Sequence, residues 1–306
     1  MRVAFQCDPF ETLNPRTDTS IALMAEALER HYRVYAYTSE SMTWSQQTLG
    51  AIGQEVLKEG ESLIQSQSLS VNLAEMDIIW IRQDPPFDMG YLTPTYLLET
   101  LSPEILILND PAGIRNAPEK LLITHFPELL PPTLITGDKS EAQHFLKKHH
   151  SIVLKPLYDF GGRSIFKISS QKEFDKKWSE LICLYPRQPF LCQMFLEDVF
   201  QGDKRLFLID GEYAGGYKKM PSGSDFRSNL AVGGQAEPHE ATPRDLEICQ
   251  AIGPVLKEMG LFFVGIDIIG EFLTEINVTS PTGLKAYESL YQQKLEQKIW
   301  DAIENL

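Results

Sequence analysis

Two short apolar segments near the C-terminal end of the chain limit what it can fold into. Val264–Ile269 and Phe272–Val278 are rich in β-branched and aromatic residues, and only Gly270-Glu271 separates them, so they predict two adjacent antiparallel strands. Three oxygen-bearing side chains interrupt these apolar runs. Because aspartate and asparagine are poor strand formers, their position inside apolar strands favours a role as ligands. The three residues are Asp267, Glu275 and Asn277.

The spacing of these side chains decides whether they share one face of the predicted hairpin. Glu275 and Asn277 are two residues apart, so they point to the same face. A plain two-residue turn at Gly270-Glu271 would pair Asp267 with Thr274 and send Glu275 to the opposite face. We therefore predict a β-bulge, or a connection with an odd number of residues, that brings both carboxylates to one face.

A hairpin of this kind presents two carboxylates and one amide oxygen, with no histidine or cysteine nearby. Oxygen ligands suit a hard cation such as Mg²⁺, which keeps coordination positions for water and phosphate. The simpler alternative is a hairpin whose polar residues only face solvent. We favour the metal site and expect Mg²⁺, with Mn²⁺ as a second candidate.

The length and composition of the chain limit the kind of protein that it can be. With 306 residues, 43% hydrophobic and 23% charged, it predicts a globular protein of two or three subdomains. No apolar run approaches a membrane span, the N-terminus shows no secretory or transit signal, and four scattered cysteines suit reduced thiols, so we expect a cytoplasmic protein. The net charge of −14 argues against binding to nucleic acid or to an anionic membrane.

Residues 1–115 alternate between strand and helix patterns, which predicts a parallel sheet with crossover helices. Ligands of such sheets collect beyond the carboxyl ends of the strands, where Asp8-Pro9 and Trp80–Asp88 fall. The stretch 50–70 reads as loop at its ends, with a helix or a hairpin as alternatives between them. After residue 109 we expect a loop and then a helix, with Asn116 as its cap and Pro118 in its first turn.

A second unit follows Pro131-Pro132 and has an α+β pattern. Two of its predicted strands, Ser151–Pro156 and Ser164–Ile168, flank a glycine-containing turn. Lys155 and the backbone around Gly161-Gly162 have the chemistry to hold phosphates there. The alternative is an ordinary turn, and the GxxxxGK[ST] motif is absent.

The last third opens with a predicted hairpin that turns at Asp210-Gly211 and carries Lys204-Arg205 in its first strand. The Gly- and Ser-rich segment Pro221–Gly234 is typical of a mobile lid, with plain disorder as the alternative. Its Arg227 and Asn229 are suited to a carboxylate or a phosphate. Two further predicted helices complete the chain, at Pro243–Met259 and at about Lys285–Asn305.

Several of these segments occur in a distinctive order along nearly the whole chain. They are RQDPPFD (Arg82–Asp88), NAPEKL (Asn116–Leu121), VLKPLYDFGGRSIFK (Val153–Lys167), QMFLED (Gln193–Asp198), GDKRLFLIDGE (Gly202–Glu212), RSNLAVGG (Arg227–Gly234), GPVLKEMGLFFVGIDIIG (Gly253–Gly270) and LTEINVTSPTG (Leu273–Gly283). In this order they closely resemble the ATP-grasp superfamily and, within it, the bacterial glutathione synthetases. The DPPFD, RSNLAVGG and TEINVTSPTG segments are specific to that family.

The resemblance implies an ATP-grasp fold of α/β and α+β character with an N-terminal parallel-sheet domain. The domains it implies are 1–118 for substrate binding, 119–197 as a central lid subdomain and 198–306 as a C-terminal subdomain with the Mg²⁺ site. It also implies an ATP-dependent ligase that joins γ-glutamylcysteine to glycine through an acyl phosphate and releases ADP and phosphate. Because relatives are often homodimers or homotetramers, we expect a homo-oligomer.

The resemblance further implies roles for single residues. The expected ATP contacts are Lys120, Lys155, Gly161, Gly162, Gln193, Met194, Phe195 and Leu196. The expected Mg²⁺ ligands are Asp267, Glu275 and Asn277. The residues expected to hold the γ-phosphate and the reacting carboxylate are Arg205, Arg227 and Asn229. The expected substrate contacts are Arg82, Asp84, Ser280, Thr282 and Gly283.

Two departures from the family pattern leave alternatives open. Lys285-Ala286 stands where the family often has Arg-Glu, and the glycine turn reads DFGGRS, which places Arg163 beside the expected phosphates. One alternative is therefore a ligase for another peptide or amino-acid pair. The other is a non-catalytic ATP-binding protein of the same fold, which would not need the two arginines Arg205 and Arg227.

Overall fold

The computed structural model describes residues 1–159, 164–222, 225–228, 230 and 233–306. In this part of the chain the strands form three sheets, and helices cover them. No helix among the described residues combines the length and the hydrophobicity that a membrane span requires.

The first sheet has the parallel centre that the alternating sequence predicts. Its strands are β1 (Arg2–Gln6), β2 (Arg33–Ser45), β3 (Thr48–Glu59), β4 (Ser62–Gln65), β5 (Leu69–Asn72), β6 (Ile78–Ile81) and β7 (Leu106–Leu108). The order is β4-β3-β2-β1-β6-β7, with β5 also paired to β3, and β2, β1, β6 and β7 run parallel. Residues 48–72 add antiparallel strands to this sheet. Of the two alternatives for the stretch 50–70, the hairpin is therefore correct and the helix is wrong.

Helices α1 (Thr19–Glu29), α2 (Met89–Leu98) and α3 (Pro111–Asn116) belong to this first unit. The side chains of Asp18, Asp88 and Asp110 accept hydrogen bonds from the free amides at the three helix starts. The prediction that Asn116 caps a helix is wrong. Asn116 is the last residue of α3, because Asp110 caps that helix six residues earlier and Pro111 starts it.

The second sheet is antiparallel and contains the two strands predicted on either side of the glycine-containing turn. It contains β8 (Thr133–Thr136), β9 (Ile152–Pro156), β10 (Phe166–Ile168) and β11 (Phe190–Met194) in the order β10-β9-β11-β8. Helices α4 (Lys139–His149) and α5 (Gln171–Leu184) pack on it around Phe174, Trp178 and Phe190. This unit therefore has its own hydrophobic core.

The third sheet carries the predicted hairpins. It contains β12 (Asp203–Ile209), β13 (Glu212–Met220), β14 (Gln235–Pro238), β15 (Phe263–Ile269) and β16 (Phe272–Asn277) in the order β14-β13-β12-β15-β16. Helix α6 (Pro243–Glu258) precedes β15. The single long C-terminal helix of the prediction is wrong. It is two helices, α7 (Leu284–Tyr291) and α8 (Leu295–Ile303), because Gln292 adopts a left-handed backbone conformation with φ of 54°.

The first and third sheets share their cores. One cluster joins Ile79 of β6 to Val264 of β15, and another joins Trp80 to Phe263 and to Trp300 of α8. The side chain of Asn109, just after β7, donates to the Phe263 and Val278 carbonyls and accepts from the Phe263 amide. These contacts hold the carboxyl ends of the parallel strands against the hairpin β15–β16.

Candidate active site

A cleft of about 450 Å³ opens between the three sheets. Its walls come from the segment after β6, from β9 and β11, from β12, β13, β15 and β16, and from the loop before α7. One end of the cleft is crowded with charged side chains, and the other end is apolar. Most of the predicted site residues that the structure describes line it.

The hairpin β15–β16 contains the predicted irregularity. Asp267 pairs with Glu275 and Gly265 pairs with Asn277, whereas Ile268 pairs with Leu273, so the register shifts by one residue between Asp267 and Ile268. This bulge puts both carboxylates on the same face. The amide nitrogen of Asn277 lies 3.5 Å from Oδ2 of Asp267, which brings the three oxygen-bearing side chains together.

Asp267 is the centre of a buried group of opposite charges. Its Oδ1 and Oδ2 accept from Nε and Nη2 of Arg205 at 2.7 and 3.0 Å, and Oδ1 lies 2.9 Å from Nζ of Lys219. Lys219 also pairs with Asp203 at 2.8 Å. We call Asp203, Arg205, Lys219 and Asp267 the cleft cluster. All four line the cleft, so their charges face the open space.

The neighbouring charges determine the ionisation of the two candidate metal-binding carboxylates. Burial opposes ionisation of Asp267, but the charges of Arg205 and Lys219 outweigh it and hold its pKa well below the usual range. Burial likewise opposes ionisation of Glu275, and Lys120 and Lys155 reverse the balance and lower its pKa. Both carboxylates are therefore ionised at neutral pH, as a metal ligand must be.

The two lysines predicted to contact ATP are buried in the same cleft. Nζ of Lys120 lies 3.3 Å from Oε1 of Glu275 and donates to the Asp159 carbonyl at 2.7 Å. Nζ of Lys155 donates to Oε1 of Gln193 at 3.2 Å, and burial lowers the pKa of this lysine. The charge of Lys155 is thus less well compensated than that of Lys120.

The apolar end of the cleft is a slot between the second and third sheets. Phe195 and Val199 follow β11, Val153 lies on β9, and Ile165 and Ile269 complete the contact. Met194 and Leu196 also line the cleft. The amides of Met194 and Phe195 donate to the carbonyls of Pro132 and Ser151, so this connection is fixed by backbone hydrogen bonds.

The described part of the predicted lid lies over the cleft. Nε and Nη2 of Arg227 donate to the Asp225 carboxylate at 3.0 and 2.7 Å. Ser228 donates to Oδ2 of Asp203 at 2.9 Å, and the ring of Phe226 lies 5.7 Å from that of Phe195. The predicted residues Gly161, Gly162 and Asn229, and Arg163 with them, lie outside the described residues.

The predicted substrate residues lie at the carboxyl end of the parallel sheet. Ser280 donates to Oδ1 of Asp84 at 2.6 Å, and Nη2 of Arg82 donates to the Pro281 carbonyl at 3.0 Å. The Thr282 carbonyl accepts from Nη1 of Arg205 at 3.2 Å. These contacts tie the loop before α7 both to the first sheet and to the cleft cluster.

Gly283 ends this loop with a φ of 116°. A Cβ atom at Gly283 would lie 2.3 Å from the hydroxyl oxygen of Tyr217, so only glycine fits there. The Gly283 amide donates to Oγ1 of Thr19 at 3.2 Å, at the start of α1. Lys285, at the first departure from the family pattern, forms an ion pair with Glu288 on the same helix.

Sequence reasoning missed three charged residues of the cleft. Lys219 and Asp203 face each other across the β12–β13 hairpin only because the register shifts between Phe207 and Leu208, whereas the turn at Asp210-Gly211 alone would pair Asp203 with Lys218. Glu119 lines the cleft beside Lys120, and burial raises the pKa of its carboxyl. Neither the pairing of Asp203 with Lys219 nor the position of Glu119 was therefore signalled by the sequence pattern.

The three sheets and the charged cleft between them define a protein of the ATP-grasp fold. A solved structure of the ATP-grasp ligase PsnB with a phosphomimetic variant of a minimal precursor, Mg and ADP has a TM-score of 0.67 to this chain at 16% identity, covering 99% of this chain and 97% of that one. At this identity the similarity establishes the fold alone.

Sequence comparison identifies the family. Residues 1–115 match the N-terminal domain of prokaryotic glutathione synthetase, and residues 119–292 match its ATP-grasp domain. The glutathione synthetase of Brucella melitensis is 42% identical, covering 99% of this chain and 98% of that protein, and the one of Agrobacterium fabrum is 43% identical, covering 99% and 96%. The chain belongs to the prokaryotic glutathione synthetase family.

Proposed function

We propose that this protein is an ATP-dependent ligase that joins γ-glutamylcysteine to glycine and forms glutathione through an acyl phosphate. Family membership over nearly the whole chain supports the substrates. The observation that carries the proposal is the cleft cluster, which places two cations and the carboxylate of Asp267 on one wall of a cleft. Such an array suits the transfer of a phosphoryl group, since that reaction needs positioned charges and no covalent protein nucleophile.

The nucleotide would bind along the cleft from the apolar slot to the charged end. The slot around Val153, Phe195 and Ile269 suits the adenine ring, and the backbone amide of Leu196, which lines the cleft, is proposed to donate a hydrogen bond to it. Lys120 and Lys155 would neutralise the phosphates. Gln193 and Met194 line the same cleft and are proposed to contact ATP as well. Gln193 also accepts a hydrogen bond from Lys155 and so holds this lysine in the cleft.

Asp267, Glu275 and Asn277 fit Mg²⁺ by their donor chemistry, because they offer two ionised carboxylates and an amide on one face of the hairpin. Binding there would compete with Lys219 and Arg205 for Asp267, and with Lys120 for Glu275. When bound, Mg²⁺ would neutralise charge on the phosphates of ATP. Mn²⁺, which accepts the same oxygen ligands, is the second candidate.

In the first step an oxygen of the cysteinyl carboxylate attacks the γ-phosphorus, the O–P bond forms, and the bond to the bridging oxygen breaks to release ADP. Arg205 and Arg227 would hold the transferring phosphoryl group, with Lys219 beside them. The neutral amine of glycine then attacks the acyl carbon, so that a C–N bond forms and phosphate leaves with the amine proton. Asn229 is proposed in the same role as Arg227.

The loop over the cleft would protect the acyl phosphate from water. We propose that 1–118, 119–197 and 198–306 act as three domains around the cleft, since each range contains one of the three sheets. We further propose a homodimer or homotetramer that acts in the cytoplasm. The free state of all four cysteines is consistent with a reducing compartment.

One assay tests the function. ADP release is measured from the purified protein with Mg²⁺, ATP and γ-glutamylcysteine, with and without glycine. Turnover that depends on glycine and yields glutathione supports the proposal. Turnover only with another amino acid identifies a ligase for a different pair, and tight ATP binding without turnover identifies a non-catalytic nucleotide-binding protein.

A further inference from the structure

Tyr185 follows the last residue of α5, and its hydroxyl contacts both ends of the segment DFGGRS, the second departure from the family pattern. The hydroxyl lies 2.8 Å from Oδ2 of Asp159, the first residue of the segment, and 3.2 Å from Oγ of Ser164, the last. An ionised carboxylate can only accept, so the phenol donates to Asp159 and Ser164 donates to the phenol oxygen. One hydroxyl therefore joins two residues that both line the cleft.

The core of the second sheet holds the Tyr185 side chain in place. The Tyr185 amide donates to the Leu181 carbonyl at 2.8 Å, and the ring packs against the hydrophobic cluster between that sheet and its two helices. Burial raises the pKa of the phenol, so the hydroxyl keeps its proton at neutral pH and remains a donor. A donor on a side chain fixed in this way also fixes the carboxylate that it binds.

Asp159 connects the Tyr185 hydroxyl to a cation of the cleft. The Asp159 carbonyl accepts from Nζ of Lys120 at 2.7 Å, and the same Nζ lies 3.3 Å from Oε1 of Glu275. Because Glu275 is a proposed Mg²⁺ ligand, metal binding would weaken its contact with Lys120. The Asp159 carbonyl takes no part in the proposed metal site, so it would still hold the Lys120 ammonium when the metal is bound.

We propose that Tyr185 is a positioning residue for ATP, which acts through Asp159 on Lys120. The hydroxyl fixes the Asp159 side chain, the Asp159 carbonyl fixes the Lys120 ammonium, and the ammonium binds the phosphates. This inference rests on ATP binding in the cleft, which is part of the proposed function. A residue that acts in this way need not touch ATP, because it determines where the cation lies before the nucleotide arrives.

The first test is Tyr185→Phe, which removes the hydroxyl and keeps the ring in the core. We expect the Kd of a non-hydrolysable ATP analogue with Mg²⁺, measured by calorimetry, to rise by about 3- to 10-fold, the effect of one hydrogen bond. The KM values for γ-glutamylcysteine and glycine should stay close to wild type. Tyr32→Phe is the matched control, because the Tyr32 hydroxyl also donates to a carboxylate, that of Glu304, and neither residue lines the cleft. This control should leave the Kd unchanged.

Combined variants test the route by which Tyr185 acts. Lys120→Met removes the ammonium, so Tyr185→Phe should cause no further loss of affinity in that background. Asp159→Ala removes the acceptor of the hydroxyl, and Tyr185→Phe should again add nothing to its effect. If Lys120→Met binds the analogue too weakly to measure, the pair of variants with Asp159→Ala decides.

An unchanged Kd in Tyr185→Phe overturns the proposal, and so does an equal rise with and without the Lys120 ammonium or the Asp159 carboxylate. An equal rise in Tyr32→Phe also overturns it, because a general loss of stability would then explain the effect. Turnover separates this proposal from the proposed function. If the wild-type protein forms no glutathione but the Kd values follow the expected pattern, the ligase assignment fails and the positioning role of Tyr185 stands. If it forms glutathione and Tyr185→Phe binds the analogue as wild type does, the ligase assignment stands and the positioning role fails.

Discussion

Two consecutive residues of β12 belong to two different buried charge clusters. Arg205 points into the cleft and pairs with Asp267. Lys204 points to the opposite face of the sheet, where its Nζ lies 2.6 Å from Oδ1 of Asp245 and donates to the Gly270 carbonyl at 2.7 Å. Oδ2 of Asp245 accepts from the Thr242 amide and contacts Nε2 of His239, both at 2.9 Å. We call Lys204, Asp245 and His239 the rear cluster.

The difference between the two clusters lies in what their charges face. Asp245 is fully buried, and both of its oxygens are used within the protein, so the rear cluster ties β12 to the start of α6. The cleft cluster is equally buried by side-chain exposure, but its residues line an open cleft. Burial and charge alone therefore do not identify a functional site, whereas orientation toward open space does.

The largest effect is expected when the cation on each face of β12 is replaced by the other type of cation, in two separate variants. Arg205→Lys keeps the charge in the cleft but loses the two-pronged contact with Asp267, so we expect kcat to fall by about 10²- to 10³-fold. Lys204→Arg is the matched control on the rear face, and it should lower stability while kcat stays close to wild type. Steady-state kinetics and thermal unfolding of both variants decide the matter. A similar loss of kcat in both would mean that the faces do not differ in function.

Removal of the rear carboxylate tests the structural half of the comparison. Asp245→Ala leaves the Lys204 ammonium buried and removes the Asp245 half of the capping box at the start of α6, while the Thr242 cap stays, so the free energy of unfolding should drop by about 3 kcal/mol or more. The kcat of the folded fraction should change little, because no rear-cluster residue lines the cleft. Urea unfolding with kinetics at low temperature measures both. A stable variant that has lost turnover would contradict the assignment.

Lys155 differs from both clusters, because its charge should help ATP binding and at the same time destabilise the fold. It is 8% exposed and its Nζ donates to Gln193 alone among the described residues. Lys155→Met should raise the KM for ATP by about 10- to 100-fold through loss of one cation at the phosphates. Its Tm should be equal to or above that of the wild type, since a poorly compensated buried charge is gone. Lys148→Met, on the exposed face of α4, is the control for the loss of a lysine charge.

The same lysine predicts a pH effect of smaller size. Burial lowers the pKa of Lys155, so this lysine loses its proton at a lower pH than a free lysine, whose pKa is about 10.4. The folded state binds fewer protons than the unfolded state there, so this group favours folding as pH rises above its folded pKa. ATP binding should change in the other direction, with KM rising up to about tenfold in the alkaline range. Lys155→Arg should flatten this rise, and a rise that persists in that variant would assign the titration to another group.

The sequence predicted the metal-ligand face but not the charges that support it. The eight-residue spacing between Asp267 and Glu275 required an irregular hairpin, and the bulge is there. Lys219 went unnoticed because one lysine on a strand carries no spacing signal until the register with Asp203 is known. Nor did the pair Lys204-Arg205 reveal which residue faces the cleft, since that depends on which sheet face another element covers.

The fold shows the same division between local and tertiary information. Strand periodicity predicted two strands of the second sheet, Ser151–Pro156 and Ser164–Ile168, to within two residues, because each has a clean apolar face. The antiparallel strands of residues 48–72 were left open, because glycine, serine and glutamine dilute the alternation that marks a strand. The division of the last helix depends on one left-handed residue, Gln292, whose side chain does not demand that conformation.

The bulge in β15–β16 makes the length of this hairpin as important as the identity of its residues. Deleting or inserting a single residue between Asp267 and Glu275 would rotate one carboxylate to the buried side of the sheet without changing any side chain. Surface loops elsewhere in the chain can grow or shrink at little cost. This hairpin cannot, and its residue count is therefore a constraint that a substitution scan of single positions would never reveal.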